Sequence, residues 1–284
     1  MDTFEDRIAL LRAESARFTQ YLQGLSAEVW SGPSACDQWC VQDVVAHLIG
    51  VAQLYADSIT RGIAGDAAPP PGRPPAGQAS ASAVAERVAQ HTIAMREQLG
   101  DQVFEVFQAA GDHLLEVLAG LAPEDRQKPC YHPGGFVAAQ DFADLRLKEI
   151  AVHEWDIRSV LEPGAVMSAV AMPAIIRLIA GSTASGSLGW GFWSGTRLER
   201  PLRYRFDISG TVPYQLDIIV EGDAARQEEP SSAAADITFC GETESFVRLV
   251  YGRLALETAL ADGVFDVVGD RKHAMAFAQW FHGL

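Results

Sequence analysis

Apolar positions recur at helical spacing over the first half of this 284-residue chain. Residues 4–25 place Leu11, Ser15, Phe18, Leu22 and Leu25 on one face with charges opposite, which predicts an amphipathic helix. After the Gly32-Pro33-Ser34 turn a second helix is predicted from about Val41 to Ile63. Residues 66–80 contain Pro69, Pro70, Pro71, Pro74 and Pro75, a composition that excludes helix and predicts an exposed, partly extended loop. Helical periodicity returns from Ser82 to Leu121, with a bend expected near Gly100 or Gly111. Pro123 and the turn Cys130-Tyr131-His132-Pro133-Gly134-Gly135 interrupt it, and a fourth helix follows from about Ala139 to Leu161. Four long helices with one extended crossover predict a four-helix bundle, whose core is a usual place for inward-projecting metal ligands.

Beyond Glu162-Pro163-Gly164 the period changes. One more helix is predicted over Ala169–Ile179, then a Gly-, Ser- and Trp-rich piece from Gly181 to Gly195. Leu202–Ile208 and Tyr214–Val220 alternate as strands do, Ala235–Cys240 reads as a third and Phe265–Val268 as a short fourth. Helices are expected at Glu242–Leu256 and Arg271–Phe281. The fold class is therefore α+β in two domains, a helical bundle over 1–165 and a small α+β domain over 166–284.

Composition narrows the function classes. With 48% hydrophobic and 21% charged residues, the chain has ample core material for a globular protein. A net charge of −15 argues against nucleic acid as a partner, because phosphate neutralisation needs a basic patch. No apolar run reaches the ~18 residues of a membrane span. The acidic start, Met1-Asp2-Thr3-Phe4-Glu5-Asp6-Arg7, is unlike a signal peptide, so a cytoplasmic protein is expected. Cys36, Cys40, Cys130 and Cys240 are too few and too scattered for a disulfide framework and read as free thiols.

The chemistry concentrates in two helices. Glu149 and His153 stand four residues apart within a helical segment, so both side chains leave the same face one turn from each other. His47 sits far upstream in the otherwise apolar run Val44-Val45-Ala46-His47-Leu48-Ile49-Gly50. Together they make a two-histidine, one-carboxylate set, the composition of open catalytic zinc sites. Burying these groups among Val44, Val45, Leu48, Val152 and Val160 would cost several kcal/mol without a charge partner, and a bound cation removes that cost. Asp156, three residues beyond His153, is placed to orient a ligand imidazole. A helix-surface carboxylate is the plain alternative for that residue.

Pro33–Leu48 resembles the entry to the second helix of mycothiol-dependent maleylpyruvate isomerase-like proteins. Glu149-Ile150-Ala151-Val152-His153-Glu154-Trp155-Asp156-Ile157 resembles their fourth helix. The group belongs to the wider DinB-like metal-binding bundles, and Tyr251-Gly252-Arg253-Leu254 with the final helix is similar to its sterol-carrier-like C-terminal domain. The resemblance implies zinc as the metal, or another divalent ion such as nickel, held by His47, Glu149 and His153. It also implies mycothiol or a related thiol as cosubstrate. Cys40 stands where the family has Thr or Ser before helix two, and the 66–80 loop and the His132-Pro133-Gly134-Gly135 turn match nothing in the family pattern.

Two chemistries follow from such a site. Water bound at its open position would have its pKa lowered to about 7, which makes a hydrolase. A thiol, ordinarily near ~8.5, would be deprotonated, which makes a thiol-dependent isomerase or transferase. The resemblance favours the second, with addition of the thiol to a small electrophile, rotation and elimination. An anionic substrate needs cations at the cleft, which is expected between the two domains. Arg146, Arg158, Arg248 and above all Arg253 are the candidates. A third possibility is a metal- and ligand-binding module without catalysis. A fourth protein ligand from Cys40, Cys130 or His132 would mark that case. Monomer and dimer stay open.

Overall fold

The computed structural model describes residues 3–37, 39–78, 81–185, 191–192, 195, 197–222 and 224–283. They fall into two compact units, Met1–Met167 and Ser168–Leu284.

The first unit opens with helix α1, Phe4–Gln23. Its start is set by a reciprocal cap, in which Asp6 N–H donates to Thr3 Oγ1 at 3.1 Å and Thr3 N–H donates to Asp6 Oδ2 at 2.9 Å. Phe4, Ile8, Leu11, Phe18 and Leu22 form its buried stripe, and Glu14 is buried where Ser15 was expected. The reason is Arg17, which donates to Glu14 Oε2 at 2.8 Å and to Glu154 Oε1 at 2.5 Å, so a charged triad closes that stretch of the interface. A short helix α2, Ala27–Ser31, precedes α3, Val41–Ile63. At the α3 entry, Cys40 N–H and Cys40 Sγ–H both donate to Asp43 Oδ2 at 3.0 Å, so the carboxylate three residues on does the capping.

The third predicted helix is two. Helix α4, Ala81–Leu99, ends at Gly100, whose φ of +51° lies in the left-handed region that favours glycine. After one 3-10 turn the chain reverses into α5, Val103–Ala119. Gly111 stays helical. Arg96 meets Asp43 and Met95 meets Gly50, so α4 runs antiparallel along α3 as part of the crossover. Helix α5 takes the bundle position, with Phe107 edge-on to Phe18 at 5.8 Å and Gly111 beside Arg146. A two-residue hairpin, β1 (Pro129–Cys130) and β2 (Val137–Ala138), leads into α6, Phe142–Leu161. Helices α1, α3, α5 and α6 thus make the four-helix bundle, and the proline-rich stretch with α4 is its crossover.

In the second unit α7, Met172–Ser185, is longer than expected, and residues 186–190, 193 and 194 of the Gly/Ser/Trp-rich piece lie outside the described residues. Strands β3 (Leu202–Ser209), β4 (Tyr214–Glu221), β5 (Ala224–Glu228) and β6 (Ile237–Glu242) follow, then β7 (Asp266–Gly269). The sheet order is β5-β4-β3-β6-β7, with β3 and β6 parallel and the other pairs antiparallel. Alternation in β3 sends Leu202, Tyr204, Phe206 and Ile208 inward, where Phe239, Phe246 and Phe277 surround them. Gly252, at φ +70°, splits the helix expected from Glu242 to Leu256 into α8 (Thr243–Val250) and α9 (Leu256–Ala261). Helix α10, Arg271–Phe277, completes the unit, four residues short of its predicted end. The two-domain α+β class expected from the sequence is the architecture observed.

Candidate metal centre

Helix α6 supplies a carboxylate and an imidazole one turn apart, and α3 brings the second imidazole across to them. His47 Nε2 lies 3.3 Å from Glu149 Oε2, and His153 Nε2 lies 3.4 Å from the same oxygen. The two imidazoles meet edge to face at 4.6 Å between centroids. One ligand atom from each of the three residues falls within 4.8 Å of the others. A tetrahedral site with bonds of ~2.1 Å has ligand–ligand edges of ~3.4 Å, so the spacing around Glu149 Oε2 fits a small divalent cation.

The remaining polar atoms are arranged to keep this set in place. His153 Nδ1–H donates to Asp156 Oδ2 at 2.8 Å, which turns Nε2 toward Glu149. Asp156 has no exposed surface, and its backbone carbonyl receives Ala35 N–H at 2.8 Å, fixing the loop before α3 against α6. Trp39, on that loop, covers both imidazoles, with centroids 5.2 Å from His47 and 6.4 Å from His153. On the other side, Glu149 Oε1 receives Lys148 Nζ and, at a long 3.5 Å, Tyr55 O–H.

Burial by itself would raise the Glu149 carboxyl, but the Lys148 charge and hydrogen bonds from His153 and His47 outweigh it and hold the group well below its usual range. Burial likewise opposes charge on His153. The hydrogen bonds to Asp156, Cys36 and Glu149 prevail, and its pKa lies well above the ordinary value. His47 is pushed down by burial, with Glu149 offsetting part of the effect. The centre is thus organised around an ionised Glu149.

Among the sequence-predicted residues, His47, Glu149 and His153 come together. Arg253 belongs to the C-terminal unit, in the turn after α8, where its Nη1 donates to Tyr251 O at 2.8 Å. Arg146 is buried to 3% exposure one turn before Glu149, donating to Leu48 O at 2.8 Å, and burial pushes its pKa down to about 10. Cys40 is tied to Asp43, and Cys130 is packed at the end of α3. The cysteine at the centre is one the sequence did not single out. Cys36 Sγ–H donates to Asp156 Oδ2 at 3.0 Å, on the Nδ1 side of His153. The loop residue Trp39 was also missed, and only its place next to the α3 entry hints at it.

Residues 11–158 match the family model of the mycothiol maleylpyruvate isomerase N-terminal domain. The chain belongs to that family. Residues 197–282 match the SCP-2 sterol transfer family, so the C-terminal sheet unit has the sterol-carrier type expected. A crystal structure of mycothiol-dependent maleylpyruvate isomerase superposes with a TM-score of 0.57 at 15% identity, covering 89% of this chain and 93% of that one. A point mutant of mycothiol-dependent maleylpyruvate isomerase gives 0.60 at 15% identity, over 94% of this chain and 95% of that one. At this identity the likeness is one of fold. No curated protein matches the chain. Among the described residues no helix is long and apolar enough to cross a membrane.

Proposed function

We propose that this protein is a metal-dependent enzyme that uses a low-molecular-weight thiol, mycothiol or a relative, to isomerise a small electrophile or transfer the thiol to it. The observation that supports this most directly is the convergence of His47 Nε2, Glu149 Oε2 and His153 Nε2, backed by Asp156 on the far nitrogen of His153. Membership of the mycothiol maleylpyruvate isomerase family supports the choice of thiol.

In this reading His47, Glu149 and His153 hold one divalent ion, zinc first and nickel as a substitute that geometry selects against poorly. The ion supplies Lewis acidity that favours the deprotonated form of a thiol over its neutral form. The protein does the rest. Asp156 fixes the orientation and tautomer of His153, and Trp39 shields the imidazoles from bulk water. Lys148 and Arg146 give the Glu149 side a positive potential suited to an anionic guest. With three protein ligands the set leaves a coordination position for the thiol, unlike a closed structural zinc site. A cytoplasmic setting, where small thiols are reduced, goes with the same reading.

The test is a titration of zinc-loaded protein with mycothiol, bacillithiol, glutathione and a thiol-free analogue. Thermal stabilisation by one thiol alone, rising with concentration as linkage requires, is the expected result. Metal-dependent ester or amide hydrolysis with no thiol response would replace the proposal by the hydrolase, and neither response by a binding module.

A further inference from the structure

The His132-Pro133-Gly134-Gly135 turn and the proline-rich loop come together beside the metal centre. Gly77 N–H donates to Pro133 O at 3.0 Å and Tyr131 O–H donates to Pro74 O at 3.0 Å, so the two segments hold each other. Gly135, at φ +140°, lets the hairpin fold back, and its N–H donates to His132 O at 3.0 Å.

His132 is the chemically active group of this turn. Gly134 N–H donates to His132 Nδ1 at 3.1 Å. A backbone amide can only donate, so Nδ1 is the acceptor and the neutral ring carries its proton on Nε2. Burial, the largest influence, pushes the pKa of His132 down to about 4, which keeps the ring neutral near pH 7. The Nε2 proton lies on the side of the ring away from the turn and has no acceptor among the described residues. The ring stands 6.0 Å from that of Tyr55 and 6.4 Å from that of Phe142. Tyr55 in turn reaches Glu149 Oε1, the oxygen that does not face the imidazoles. Both Lys148 and Glu149 lie within electrostatic reach of His132. A half-buried N–H donor with the Lys148 ammonium within electrostatic reach can recognise a carboxylate oxygen.

We propose that His132 is a specificity-determining residue, its Nε2–H donating to a carboxylate oxygen of the substrate on the Lys148 and Tyr55 side of Glu149. The proposal rests on the metal-and-thiol reading above. It separates from the plainer role of bracing the turn, because the two nitrogens of the ring do different work. Asparagine can still accept from Gly134 N–H but presents no donor at the Nε2 position. Glutamine places an N–H donor there.

The experiment uses the zinc-loaded full chain and succinate, a carboxylate probe with no double bond for a thiol to attack. Loss of one hydrogen bond to a charged group predicts that His132→Asn weakens succinate binding by about tenfold or more. His132→Gln restores it to within about threefold, and both variants keep their zinc. In long-range proton–nitrogen spectra the His132 Nε2 resonance shifts with succinate and not with neutral succinamide. Equal affinity in wild type and His132→Asn, a motionless Nε2 resonance, or no succinate binding by zinc-loaded wild type would overturn the assignment while the metal centre stands. Equal weakening in both variants would give His132 the bracing role instead, and zinc loss in His132→Asn would make it part of the metal centre. A wild-type chain that takes up no zinc overturns the parent reading and this one together.

Discussion

His153 Nδ1 lies 2.8 Å from Asp156 Oδ2, and that carboxylate is completely withdrawn from solvent. The pairing determines which nitrogen of His153 faces Glu149. A partner of this kind typically changes metal affinity by about 10–100-fold when removed. Asp156→Asn, which preserves volume, is therefore expected to weaken zinc binding by that factor in a chelator competition, with the helical circular dichroism retained. Unchanged zinc affinity would show that the bundle orients His153 without Asp156.

The ligand set itself makes a sharper demand. Protein with His47→Ala or Glu149→Ala is expected to purify with almost no divalent metal, against about one ion per chain in the wild type. Elemental analysis decides this. Full retention of metal in both variants would remove the site from consideration.

Much of the bundle was readable because its helices are long and their apolar stripes regular. Helix α3 was predicted from Val41 to Ile63 and is observed there. The Glu149–His153 pair was readable because four-residue spacing within a helix fixes a shared face. Other features depend on groups remote in sequence. Glu14 is buried because Arg17 bridges it to Glu154, 140 residues away, and no local period announces that. The reversal at Gly100 was half legible, since Gly111 carries the same letter and stays helical. Strand β5, Ala224–Glu228, shows no apolar alternation because it is the edge of the sheet, held by backbone pairing to β4. Cys36 and Trp39 sit in a loop, where nothing periodic reports the direction of a side chain.

Close packing at the end of α3 gives a further prediction. A Cβ on Gly62 would lie 2.4 Å from Cys130 Sγ and 2.9 Å from Pro129 O. Neither neighbour is the far end of a flexible chain. Gly62→Ala is expected to destabilise the protein by about 1–3 kcal/mol in urea unfolding, despite alanine's better helix propensity. Adding Cys130→Ala should recover part of the loss, because the thiol is the nearer of the two obstacles. A neutral or stabilising Gly62→Ala would mean that the hairpin shifts aside at no cost.

The last prediction concerns acid stability and the C-terminal sheet. Asp217 on β4 has no exposed surface, and it is opposite Arg205 on β3 in the strand register. Arg205 Nε and Nη2 donate to its two oxygens at 2.7 Å, and Arg203 Nη1 donates to Oδ2 at 2.7 Å. Burial works against ionisation, but the two guanidinium groups outweigh it and hold the carboxyl below its usual range. Because the folded pKa is depressed, the stabilisation is complete above the ordinary Asp value of ~3.9 and is lost as pH falls through the lower folded value. Asp217→Asn leaves both arginines without their shared anion, at a cost on the order of 3 kcal/mol near pH 7. Urea unfolding of wild type and variant, followed by a probe of the C-terminal unit, should show a constant gap from pH 7 down to about 5. The gap should narrow as the pH drops further through the acid range, since protonated wild-type Asp217 then resembles the amide. A gap that stays constant to the lowest pH at which the fold survives would show that the loss comes from altered packing in the sheet and not from the charge.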